Sequence, residues 1–114
     1  MLFRSLRAVS AQFLDLNATR NGHTAPSAPF TLRPGSPVVL GFFAAIQPGQ
    51  SYIAGLTNQS GEVIFRNVPI LPNDALGNFF VECDQSLLRP GGYLLTLSST
   101  GALAPPRRFE FTIR

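Results

Sequence analysis

Cys83 is the only cysteine of the chain and His23 its only histidine, so any thiol nucleophile has a single possible base. A reactive thiol needs a depressed pKa and solvent access, from a cationic neighbour or a helix N-terminus. Cys83 closes the run Asn78-Phe-Phe-Val-Glu-Cys83, and Asp84 follows it. If Glu82 faces water, strand alternation turns Cys83 inward, and the two acidic neighbours raise its pKa further. His23 lies in a stretch rich in Gly, Ser and Pro with nothing to fix its geometry. The expectation is a buried, inert thiol. One histidine and one cysteine cannot complete a zinc site, and no Asp-x-Asp-x-Asp loop offers calcium ligands. Glu82 and Asp84 stand two apart on one strand face, whereas glycoside hydrolysis needs carboxylates on opposite sides of a cleft. There is no Gly-x-Ser-x-Gly elbow, and no glycine loop precedes a helix. The chain therefore reads as a non-enzyme with no catalytic, cofactor-binding or metal-ligating residues.

Aromatic side chains are the one binding signal with physical content. Tyr52, Phe42, Phe43 and Phe80 occupy strand positions where not all can point inward. An aromatic left on a sheet face offers contact area to a protein partner or stacking area to a glycan. All nine basic residues are arginines, against six acidic residues, for a formal net charge of +3. No arginine cluster exceeds the pair Arg107–Arg108, so nothing forms a stripe for a phosphate backbone, and nucleic acid is not an expected partner. The Asn-x-Ser/Thr tripeptides at Asn17 and Asn58 read as chance occurrences in polar turns.

The elements that hold these residues are short strands. Ten prolines and ten glycines are spread along the 114 residues, a length suited to one domain. Strands are expected at 9–16, 37–46, 51–57, 62–68, 78–83, 93–98 and 107–114, with a brief alternation at Phe30-Thr-Leu32. The run 37–46 reads as buried on both faces, and at ten residues it is about half the ~20 a membrane helix needs. Residues 17–29 and 69–77 read as loops, and 84–92 as a turn holding one helical turn. Alternation places Phe109, Phe111 and Ile113 inward, with Tyr93, Leu95 and Leu97 and with Phe79, Val81 and Cys83. The run Leu88-Arg-Pro-Gly-Gly-Tyr93 fits the tyrosine corner of an immunoglobulin-like fold. The fold class is all-β, a two-sheet immunoglobulin-like sandwich of seven to eight strands over residues 9–114, with residues 1–8 as an N-terminal extension. Residues 9–16 and 51–57 carry few charges and no proline, so both read as open edges for self-association or partner capture.

The order of segments carries a resemblance. Gln12-Phe-Leu-Asp-Leu16, Ala18-Thr-Arg-Asn-Gly22, Phe30-Thr-Leu-Arg-Pro-Gly35 and Val38-Val-Leu40 are followed by Gly61-Glu-Val-Ile-Phe65, Leu87-Leu-Arg-Pro-Gly-Gly-Tyr93 and Phe109-Glu-Phe-Thr-Ile113. Together they resemble the small extracytoplasmic β-sandwich domain of bacterial anti-sigma-like membrane proteins, many of which carry a cytoplasmic zinc-finger segment. Phe65 stands where that family usually has tryptophan, and Arg89 replaces the first proline of its last turn. The resemblance implies a non-catalytic interaction or sensing module, periplasmic or at the cell surface in bacteria. The alternative is a carbohydrate-binding sandwich. Residues 1–10 hold no continuous apolar run, so no signal peptide is expected there.

Overall fold

The computed structural model describes residues 11–16, 19–20, 23–24, 29–100 and 105–114. It is an all-β sandwich of one three-stranded and one four-stranded sheet. The first sheet has the order β1-β4-β7, from Gln12–Asp15, Val38–Phe43 and Asn78–Cys83. The second has the order β6-β5-β8-β9, from Val63–Ile70, Ser51–Asn58, Gly91–Thr100 and Arg107–Ile113. A two-stranded ribbon joins β2 (Thr19–Arg20) to β3 (His23–Thr24), and a 3₁₀ turn spans Gln85–Leu87. The proposed extension 1–8 lies outside the described residues.

Alternation decides the core. In β7 the residues Phe79, Val81 and Cys83 are buried while Phe80 and Glu82 are exposed. Tyr93, Leu95 and Leu97 of β8 and Phe111 and Ile113 of β9 face them from the other sheet, with Phe109 half-buried beside them. Rings lock the layers together. Phe42 of β4 lies 4.9 Å from Phe109 of β9, and Phe79 of β7 meets Tyr52 of β5 edge-on at 5.4 Å. The corner forms as expected: Tyr93 is buried, stacks on Phe111 and donates its hydroxyl to the Arg89 carbonyl at 2.7 Å.

β1 runs parallel to β4, a pairing that needs a long crossover, and residues 16–37 provide one. Within that crossover Phe30 pairs parallel with Ile113 at the edge of the other sheet. Its amide donates to Thr112, and its carbonyl accepts from Arg114. Gln12 fastens the return. Its buried side chain donates to the Arg33 and Ser36 carbonyls at 2.8 and 3.1 Å and accepts from the Arg33 amide.

Several expectations are corrected. The hydrophobic strand is Val38–Phe43 and is buried on one face only, because the outer side of a three-stranded sheet meets solvent: Phe43 is exposed and Val39 half-buried. The strand at 51–57 is no edge, since β5 is paired on both sides, with β6 and with β8. Tyr52 and Phe42, expected among surface aromatics, are core residues at 8% and 1% exposure. The strand expected at 62–68 extends through Pro69 to Ile70, and the loop at 17–29 contains the β2–β3 ribbon.

Candidate interaction surface

The outer face of the three-stranded sheet is built by three register rows. Phe13, Val39 and Glu82 lie side by side, then Asp15, Gly41 and Phe80, then Phe43 and Asn78. Gly41 is the key to this face. It has no side chain on the middle strand, so the Phe13 ring folds down over it, and a Cβ there would collide with that ring. β1 and β7 are two strand spacings apart, roughly 10 Å, yet Phe13 and Phe80 meet across the glycine. Their ring centroids are 5.7 Å apart and their planes 71° apart. Phe13, Phe43 and Phe80 remain 56%, 46% and 45% exposed. Three large apolar side chains thus gather on one face, with Asp15 and Glu82 beside them.

Phe43 and Phe80 of the aromatics singled out by sequence therefore share this face, while Tyr52 and Phe42 lie beneath the sheet. The Tyr52 hydroxyl accepts from the Gln47 amide at 2.9 Å and serves the β4–β5 connection. Phe13 was not among the expected residues. Its signal was available: it alternates with Asp15 and against Leu14 and Leu16, which are both buried.

The loop leading into β7 is fastened by Asp74, which accepts from the Leu76, Gly77 and Asn78 amides and from the Asn78 side chain. The Asn78 side chain, then the Asn78 amide, hold the Asp74 carboxyl below its ordinary value. Past the other end of β7, Asp84 caps the 3₁₀ turn rather than extending the strand. It accepts from the Ser86 amide and hydroxyl, both at 2.9 Å, and these bonds lower its pKa. Glu82 and Asp84 therefore point to different tasks.

Cys83 faces the core and donates weakly to the Asp84 carbonyl at 3.7 Å. Burial pushes its thiol up, and the Asp84 charge pushes it further, opposite to what a nucleophile requires. His23 sits in β3, and its side chain lies outside the described set. Among the described residues no group of three His, Cys, Asp or Glu side chains could hold a metal. No described helix is long and apolar enough to cross a membrane. The Asn58 side chain is occupied, accepting from the Ser60 and Glu62 amides and donating to the Glu62 carboxyl. It serves the β5–β6 turn. Asn17 lies outside the described residues.

No protein-family model, curated protein or solved structure matches the chain.

A cavity of about 390 Å³ lies between the β5–β6 turn and the 3₁₀ corner, lined by Asn58, Gln59, Ile64, Leu87, Arg89 and Gly92 among others. Its polar groups are largely spent on each other: the Gln59 amide donates to the Gly92 carbonyl at 2.8 Å, and the Gly92 amide donates to Gln59 Oε1. Ser60, Glu62 and Ser86 also line it; the Glu62 carboxyl accepts from the Asn58 side chain, and the Ser86 hydroxyl donates to Asp84.

Proposed function

We propose that the protein is a non-catalytic protein-interaction module of the kind its sequence resembles, the extracytoplasmic sandwich of bacterial anti-sigma-like regulators. The observation that carries the interaction reading is the exposed Phe13–Phe43–Phe80 face. Exposing three phenylalanines on one sheet face costs solubility, and contiguous apolar patches rimmed by polar residues mark contact surfaces. The ordered run of sequence motifs supports the extracytoplasmic and regulatory part.

The ring geometry favours a protein over a sugar. A glycan platform presents coplanar faces along a row, whereas Phe13 and Phe80 stand at 71° and offer one face and one edge. That arrangement suits an irregular apolar side chain from another protein. The test compares the wild-type domain with the double variant Phe13→Ser, Phe80→Ser as immobilised bait in bacterial envelope extracts, alongside a glycan array. Both substitutions sit on the solvent face, so the fold should persist, checked by circular dichroism. Loss of a captured protein in the double variant supports the reading. Capture that survives the substitutions, or saturable glycan binding abolished by them, refutes it.

A further inference from the structure

The two sheets do not match in width, and the mismatch leaves a vacancy. Phe79 of β7 packs against Tyr52 of β5, so β7 lies over β5. In the wider sheet β6 continues beyond β5, while β7 is the last strand of its own sheet. The described three-stranded sheet has no strand to set opposite β6, whose Phe65 and Ile70 pack against the margin of the core. The β6 residues Phe65, Val68 and Ile70 share the inner face, since they pair with Leu56, Ala54 and Tyr52, which are all buried. Yet all three are only half-buried, and β6 contains no fully buried residue.

The backbone beside this apolar floor is open. The Ala44 amide donates to the Gly77 carbonyl, which places Phe42/Phe79, Leu40/Val81 and Val38/Cys83 as the bonded pairs of the antiparallel ladder. The amides and carbonyls of Phe80 and Glu82 therefore point away from β4. Asn78 also points outward, but Asp74 takes its amide and Asn73 takes its carbonyl. Among the described residues, no bond is made to the outward groups of Phe80 and Glu82.

The edges of the wider sheet are guarded. β6 carries Arg66, Pro69 and Asn67 at a positive φ of 57°. β9 is paired with Phe30 at one end and carries Arg107, Arg108 and Glu110 at the other. On β1, Asp15 is engaged. β7 has a regular register and no proline, and Glu82 is its one charged residue.

We infer that the notch between the β7 edge and the floor of β6 accepts one extended peptide segment from a partner chain, added as a fourth strand of the β1-β4-β7 sheet. This deepens the proposed interaction function and rests on it. The segment's chemistry follows from the walls. Its backbone bonds the amides and carbonyls of Phe80 and Glu82. Its inward side chains are apolar, to cover Phe65, Val68 and Ile70, and they alternate with outward polar ones. Beside Glu82 it carries arginine or lysine, because opposite charges paired across strands stabilise. A complete second sandwich does not fit with its inner face on the same side. Its own second layer would enter the space that β6 fills, whereas a single strand has no such layer.

The test uses the isotopically labelled domain and two capped heptapeptides, Thr-Val-Arg-Val-Thr-Val-Arg and its counterpart with each valine replaced by serine. The first should slow hydrogen exchange of the Phe80 and Glu82 amides at least tenfold and shift the side-chain resonances of Val68 and Ile70. The serine peptide should bind at least tenfold more weakly. Glu82→Pro removes an outward amide without touching the β4 ladder, and should weaken binding at least tenfold. Should that variant unfold, Glu82→Lys serves instead: it should weaken the arginine peptide and favour one carrying glutamate in place of arginine. The inference is overturned if neither peptide binds at millimolar concentration, if binding leaves those two amides unprotected, or if raising the domain's own concentration protects them equally well. Phe13→Ser separates this site from the aromatic face. Loss of partner capture with peptide protection intact confines the interaction to that face, while peptide protection lost in the wild type with capture intact removes the notch alone.

Discussion

Replacing Gln12 by methionine keeps the length and burial of the side chain but removes its amide. The wild-type side chain is 7% exposed and makes three hydrogen bonds, two to the Arg33 backbone and one to the Ser36 carbonyl. Each is worth about 1 kcal/mol net, and groups left unpaired in the interior cost more. Arg33 is exposed and Ser36 half-buried, so water can reach part of what is released. The expected loss is therefore about 2 kcal/mol rather than the full sum. For a domain of this size that lowers the melting temperature by about 10 °C, at several degrees per kcal/mol. Calorimetry gives the global number, and hydrogen exchange at the Arg33 amide gives the local one. A methionine variant that melts within about 1 °C of wild type, with Arg33 exchange unchanged, would refute the clamp. The same structure explains why proline is unsuitable at position 12. The Gln12 amide donates to the Pro37 carbonyl at 2.8 Å, so proline at this position would break the pairing of β1 with β4.

Phe111→Ala should cost about 3–5 kcal/mol in denaturant unfolding, whereas the neighbouring exposed Glu110→Ala should stay within about 0.5 kcal/mol. Tyr93→Phe should cost about 1 kcal/mol, since the Arg89 carbonyl it abandons lies at an exposed residue that water can satisfy. Asp74 and Asp84 have folded-state pKa values below the ordinary 3.8, so their contribution is complete above that pH and lost as pH falls through the folded values. The exchange rates of the Leu76 and Ser86 amides should accordingly rise, relative to the other amides, in strong acid. Cys83 runs the other way. Its raised value means stability is intact below pH 9.0 and declines as pH climbs toward the folded value, and a thiol reagent should label the native protein only on the timescale of unfolding.

Where charge marked a face, sequence was enough. Glu82 and Glu110 set the outward side of β7 and β9, and the buried sets Phe79, Val81, Cys83 and Phe111, Ile113 follow from period two. The corner was legible because Pro-Gly-Gly-Tyr carries both the turn and the ring. Adjacent Phe42 and Phe43 were ambiguous. They must face opposite ways, and only the register with Phe79 and Asn78 decides which is inside. The segment at 51–57 misled for a physical reason. A strand without charges is compatible with an unguarded edge and equally with a central strand whose two neighbours leave little room for charge. The outward side of Phe13 was legible from its alternation with Leu14 and Leu16, but its contact with Phe80 across Gly41 is one that no local pattern announces. The vacancy beside β7 depends on the unequal widths of the sheets, which is a property of topology and not of any one strand.

The parallel pairing of β1 with β4 also has a mechanical meaning. Tension entering the domain along β1 pulls the two strands past one another, so the ladder from Gln12 to Asp15 carries load across all its bonds at once. An antiparallel hairpin peeled from its open end would release its bonds one at a time. Phe30, clasped between Thr112 and Arg114, ties the same stretch of chain to the opposite sheet. A pull on the N-terminal side thus meets two holds in succession, the β1–β4 ladder and then the grip on Phe30. A domain anchored through that side would resist being drawn apart more than its modest size suggests.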